Sequence, residues 1–150
     1  MDDQPRPGEH HARDYRLRRT ALRRSVAETE GYAVYDALVD QIDWSASNPW
    51  LDLLERLNAS QRVIVSLAQV HEHAAFNGLE EALAFHGPDV VRIAAESAAA
   101  LGHPEIAQLL DAALHGTRDW ESLEADWDAT ASFAIEPFIE AHAADFFVDE

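Results

Sequence analysis

Cysteine is absent from the sequence. That excludes disulfides, zinc–thiolate sites and thiol catalysis, and it is compatible with a reducing cytoplasm, the location expected for the chain. Lysine is absent as well, since all eleven basic residues are arginines. No uninterrupted apolar run approaches the roughly 20 residues that a membrane span needs, so no membrane association is expected. The opening stretch, "MDDQPRPGEHH", is polar and lacks the apolar core of a secretion signal. No glycine-rich phosphate loop occurs, and no serine lies in a nucleophile-elbow motif.

Positive charge is scarce in most of the chain. There are 28 acidic and 11 basic residues, a formal net charge of −17. Residues 1–24 hold seven arginines (Arg6, Arg13, Arg16, Arg18, Arg19, Arg23, Arg24) against four acids. Residues 25–150 hold 4 arginines against 24 acids, and 4 − 24 gives −20. From Asp119 onward there are ten acids and no arginine. Such a body repels nucleic acid and anionic membranes and attracts basic proteins, so no direct nucleic-acid binding is expected. An acidic surface also serves solubility alone.

What is present is an ordinary globular composition: 150 residues, 47% hydrophobic. One domain is the default at that length. Residues 1–12, rich in Pro, Gly and His, read as a disordered tail. Residues 13–30 read as an arginine-rich helical arm with a thin apolar face of Tyr15, Leu17, Leu22 and Val26, docked on the acidic surface of its own chain or of a partner subunit. Residues 31–150 read as the all-helical domain. After Gly31, Tyr32, Tyr35, Leu38, Val39 and Ile42 fall on one helical stripe. Asn48 and Pro49 suit a helix cap and first turn, and Ser60 suits the cap of the next helix. In that helix Val63, Ile64, Leu67, Val70 and Ala74 keep helical spacing, which decides against a strand in "RVIVSLAQV". Asn77-Gly78 and Gly87-Pro88 read as breaks; Gly102 and Gly116 end later helices. Pro137 should divide the long last segment near residues 133–136. The expected fold class is therefore all-α: a single compact multi-helix domain of about six to nine helices.

Few motifs suggest chemistry. His71-Glu72-His73 invites a metal reading, but residues two apart on a helix lie about 200° from each other. The zinc-protease pattern needs histidines at i and i+4, and those partners here are Ala75 and Asn77. One imidazole should pack against a neighbouring helix while the other is solvated. His86, His103 and His115 adjoin Gly or Pro at helix ends, where imidazoles bond terminal carbonyls. Paired carboxylates such as Glu80-Glu81 are too abundant to mark a site. No catalytic residue, metal ligand or cofactor is assigned.

The stretch Phe76-Asn77-Gly78-Leu79-Glu80-Glu81-Ala82-Leu83, then "AALGHPEIAQLLDAAL" (residues 99–114), with "LNASQRVIVSL" before and "FIEAHAADFF" near the end, resembles a bacterial domain-of-unknown-function family. Its members are small, acidic and all-helical, and include a DNA-mimic protein. The family's hallmark is an Asn-Gly-Gly-Phe type break. Here Phe76 stands at the usual Asn position, Asn77 replaces the first glycine and Leu79 takes the bulky apolar place. The matching motif residues are Phe76, Asn77, Gly78, Leu79, Leu101 and Gly102, and the likeness spans roughly residues 32–147. It implies an all-helical fold and no known enzymatic activity. For one branch it implies a homodimer whose acidic surface imitates the phosphate rows of DNA and occupies a transcription regulator. The glycine pair, the following aromatics and the arginine arm depart from the family pattern, and no individual acid carries over.

The resulting expectation is a non-enzymatic interaction module for a basic or nucleic-acid-binding protein. Its candidate acidic face is Asp119, Glu121, Glu124, Asp126 and Asp128, with Glu136 and Glu140. The alternatives are a hydrolase or small-molecule-binding protein with a converged His/Glu/Asp metal site, and a soluble helical component of a larger assembly.

Overall fold

The computed structural model describes residues 14–22 and 30–148; the expected tail, residues 1–12, lies outside the described residues, as do 13, 23–29 and 149–150. The described chain is all-helical. Its elements are α1 (Glu30–Val39), α2 (Pro49–Arg56), α3 (Ala59–Asn77), α4 (Leu79–His86), α5 (Pro88–Leu101), α6 (Pro104–His115), α7 (Trp120–Thr130), α8 (Glu136–Ala141) and α9 (Ala143–Phe146). No helix among the described residues is long and apolar enough to cross a membrane.

Local chemistry sets most boundaries. The Asn48 side chain accepts from Leu51 N at 3.2 Å, and Pro49 opens α2. α3 begins on a reciprocal cap: Asn58 Oδ1 accepts from Gln61 N at 2.9 Å, and Gln61 Oε1 accepts from Asn58 N at 3.1 Å. Ser60, the cap expected from sequence, lies inside the first turn and donates to Asp145 Oδ2 of α9 at 2.6 Å. α3 then runs 19 residues, about 28 Å, and α1, α2, α4, α5 and α9 all pack on it. Ile64, Val65, Leu67, Val70 and Ala74 are its buried apolar residues.

Against α3 lies α5, the helix it packs on most extensively. Val90, Val91, Ala94, Ala95 and Ala98 face inward, and these small residues let the axes approach. The one polar contact in this seam is closed on itself. Ser97 Oγ donates to Ile93 O at 2.7 Å, so its single proton is used, and Ser66 Oγ donates to it at 2.8 Å. α6 covers the other side of α5 with Ile106, Leu109, Leu110 and Ala113. The division of the last segment falls where Pro137 predicted it: α7 ends at Thr130, and α8 starts at Glu136 with Pro137 in its first turn.

The arginine-rich arm is different from the expected helix. Over residues 14–22 it is extended, with one 3₁₀ turn at Arg19–Ala21. Leu17 forms a parallel bridge with Phe147: Leu17 N donates to Phe146 O at 2.7 Å and Val148 N donates to Leu17 O at 3.1 Å. The physical reason is the spacing. Tyr15 and Leu17 turn inward while Arg16 and Arg18 stay exposed, a period of two rather than 3.6. The arm does dock on its own chain. Arg19 pairs with Glu30 and, at 3.0 Å, with Glu140, and its guanidinium lies 3.9 Å above the Phe147 ring centre. Arg56 donates to the buried Tyr15 hydroxyl and pairs with Asp52 at 3.0 Å.

Gly31, read from sequence as a separator between helices, lies within α1 and is buried. A Cβ there would stand 2.9 Å from Ile135 Cγ1 and 3.0 Å from the Glu136 carboxyl carbon. Its missing side chain lets the start of α8 close onto α1.

Candidate functional site

The seven acids of the expected interaction face do not act as one set. Asp119 caps α7, accepting from Ser122 N at 2.9 Å. Glu124 reaches back to the start of α4, accepting from Leu79 N at 2.7 Å and Glu80 N at 3.2 Å. Gly78 has no side chain to perform that capping, so Glu124 neutralises the orphan amides from another helix. Asp126 pairs with Arg118, and Glu140 with Arg19. Glu121, Asp128 and Glu136 have no ion pair among the described residues.

The family-motif residues also divide. Gly78 has φ 88°, while Asn77 stays in the right-handed helix as the last residue of α3, so the break rests on one residue rather than two. Leu79 is buried. Gly102 is left-handed at φ 93°, and His103 N donates past it to Ala98 O at 2.8 Å; Leu101, the last residue of α5, is half-buried. Phe76, by contrast, is 81% exposed and belongs to a surface.

The histidines do not converge. Among the described residues no group of three or more His, Asp and Glu side chains is placed to hold a metal ion. His71 Nε2 donates to Ala131 O at 3.0 Å and its ring packs edge-on to Phe133 at 5.0 Å. His73, on the opposite side, is not solvated as expected: it stacks on Phe85 at 4.8 Å and lies 5.2 Å from His86. His115 bonds the Asp111 carbonyl at 2.8 Å, the expected terminal role. His103 pairs instead with Glu105 at 3.3 Å. His86 is buried, with the Trp50 ring 5.7 Å away. Gln69 Nε2 donates to His86 Nε2 at 3.4 Å, so the imidazole proton sits on Nδ1, which has no partner among the described residues. Burial, then the neighbouring His73, depresses the His86 pKa to about 4.

One cleft stands out, of about 380 Å³, between α1, α3 and the chain that links α7 to α8. Its α3 wall is Ala68, His71, Glu72, Ala75 and Phe76, a helical stripe at i, i+3, i+4, i+7 and i+8. α1 contributes Tyr32 and Tyr35; the linker and the start of α8 contribute Phe133, Ala134, Ile135 and Glu136. The Gly31 contact carries Glu136 to this wall. The Tyr35 hydroxyl donates to Gln69 Oε1. Burial, and after it the Glu72 carboxylate, push the Tyr35 phenol well above the usual tyrosine value. The cleft thus combines aromatic rings with two carboxylates, and no arginine lines it among the described residues. The sequence reading missed it because the stripe mixes Ala, His, Glu and Phe, so no apolar pattern marks it.

No protein-family model, curated protein or solved structure matches the chain.

Proposed function

We propose that this protein is a non-enzymatic interaction module that receives a basic segment of another protein. The observation that carries this reading is the cleft: exposed aromatic residues Tyr32 and Phe76 beside carboxylates Glu72 and Glu136, on a body of strong negative charge. Aromatic surface supplies contact area at small entropic cost, and carboxylates select a basic partner and speed its approach. With the sequence resemblance to the DNA-mimic family, the proposal extends to a nucleic-acid-binding partner such as a transcription regulator and to a cytoplasmic homodimer. Mimicry requires carboxylates free to accept arginines. Glu72, Glu121, Asp128 and Glu136 meet that condition among the described residues, whereas Asp119, Glu124, Asp126 and Glu140 are engaged within the chain.

The test is fluorescence anisotropy with a labelled arginine-rich peptide and a neutral peptide of the same length. Saturable binding of the basic peptide alone, weakening steeply with added salt, is expected. Absence of binding at low salt removes the reading. Competition between a DNA-binding protein's operator and this chain separates mimicry from a general basic preference.

A further inference from the structure

The chain builds one arrangement twice. Arg19 lies over the Phe147 ring and pairs with Glu30 and Glu140; Arg56 lies 5.4 Å from the Tyr15 ring centre and pairs with Asp52. Arg19 is thus held between an aromatic face and two carboxylates, and Arg56 between an aromatic ring, whose hydroxyl it also meets, and one carboxylate. The cleft offers the same groups without an arginine of its own among the described lining residues: rings of Phe76 and Phe133, and carboxylates of Glu72 and Glu136.

We infer that the cleft is a receptor for an arginine side chain of the partner's basic segment, its guanidinium paired with Glu72 and Glu136 and its plane against the aromatic wall. This rests on the reading of the protein as a module for a basic partner and names the group that it grips. Three properties favour guanidinium over ammonium. Guanidinium is planar and stacks on rings, it is weakly hydrated and so enters a half-buried cleft at lower cost, and its fork satisfies carboxylates in bidentate fashion. The cleft volume, about 380 Å³, lies within the range of pockets that enclose small ligands. Glu136 is held there because Gly31 leaves room for it, and Glu72 belongs to the α3 stripe, so the cleft is lined by carboxylates from two different elements.

The experiment is an NMR titration of the full chain with Nα-acetyl-arginine methylamide, and with its lysine and citrulline counterparts. The arginine probe should shift Tyr32, Phe76 and Phe133 ring resonances saturably, more strongly than the lysine probe, and citrulline should shift none. Glu72→Gln combined with Glu136→Gln should weaken the arginine probe by about tenfold or more. Glu96→Gln combined with Asp111→Asn, exposed on α5 and α6 and outside the cleft, should leave it unchanged. Equal binding of citrulline, or an unaltered response in the cleft double variant, overturns the inference. A probe that binds only after Arg23 and Arg24 are replaced by Gln also overturns it, because the occupant is then the chain's own arginine. If the arginine-rich peptide binds as before to the cleft variant but fails on a Glu121→Gln, Asp128→Asn variant of α7, the module reading stands and the cleft assignment falls. If the peptide binds neither variant nor the parent chain, the module reading itself falls.

Discussion

Between α3 and α5 the chain meets itself through Ile64, Leu67, Val91, Ala94 and Ala98, with one serine pair closed on its own hydrogen bonds. Between the arm at residues 14–22 and the helices at 136–148 it meets itself through Arg19, Glu140, Phe147 and a two-bond backbone bridge. Apolar burial in the first is indifferent to salt and nearly so to pH. Ion pairs in the second are half-exposed, so screening and protonation weaken them. One chain therefore carries a scaffold fixed by area and an attachment fixed by charge, with contrasting responses to the solvent.

Breaking the scaffold has the largest expected effect. Leu67→Ala removes a fully buried side chain at the α3 centre and should cost about 2–5 kcal/mol by urea unfolding, equally in low and high salt. A marked salt dependence of that loss would erase the contrast between the two regions.

His86 lies between the two regimes, buried yet titratable. Its unfolded pKa is near 6.5 and its folded pKa is about 4, so the unfolded chain binds the extra proton first. Its contribution is complete above pH 6.5, falls as pH drops from 6.5 to 4, and is gone below 4. The size is about 3 kcal/mol. Unfolding free energy of the parent and of His86→Leu should converge in slope above this window and diverge within it. Parallel curves throughout would show that the buried ring accepts its proton without strain.

The smallest effect belongs to the arm. Arg19→Gln should cost about 1 kcal/mol or less in global stability. It should nonetheless speed hydrogen exchange at Leu17 N and Val148 N, the bridge amides, while leaving α3 amides protected. High salt should bring the parent chain toward the variant. If the α3 amides quicken as well, the arm is part of the scaffold.

Much of the scaffold was legible because its signals are local. Asn48-Pro49 opens α2, Gly102 ends α5, and Pro137 divides the C-terminal segment, each through chemistry within one helical turn. Failures occurred where the deciding group is distant in sequence. Ser60 gave way to Asn58 as a cap, and its hydroxyl serves Asp145, 85 positions away. The arm gave up the expected helix because its alternating Tyr15 and Leu17 suit an extended chain, which the bridge to Phe147 and the countercharges of Glu30 and Glu140 hold in place. Gly31 looked like punctuation, but it is a close-packing position facing Ile135. Of the expected acidic face only Glu136 lines the cleft; the others lie on α7 or pair with the arm. Phe76, read as a worn break residue, belongs to the cleft rim instead.

The Glu124 cap on α4 ties two positions that sequence proximity does not connect. A Cβ at residue 78 would fall 2.9 Å from Glu124 Oε2, and Gly78 already has a φ of 88° that side chains avoid. Glycine at 78 is therefore held twice, by its own backbone and by the carboxylate above it. A lineage that loses the carboxylate at 124 opens space above residue 78 but still keeps the glycine, because φ 88° with ψ 159° is a conformation that only glycine adopts readily. A lineage that keeps the carboxylate keeps the glycine on both counts.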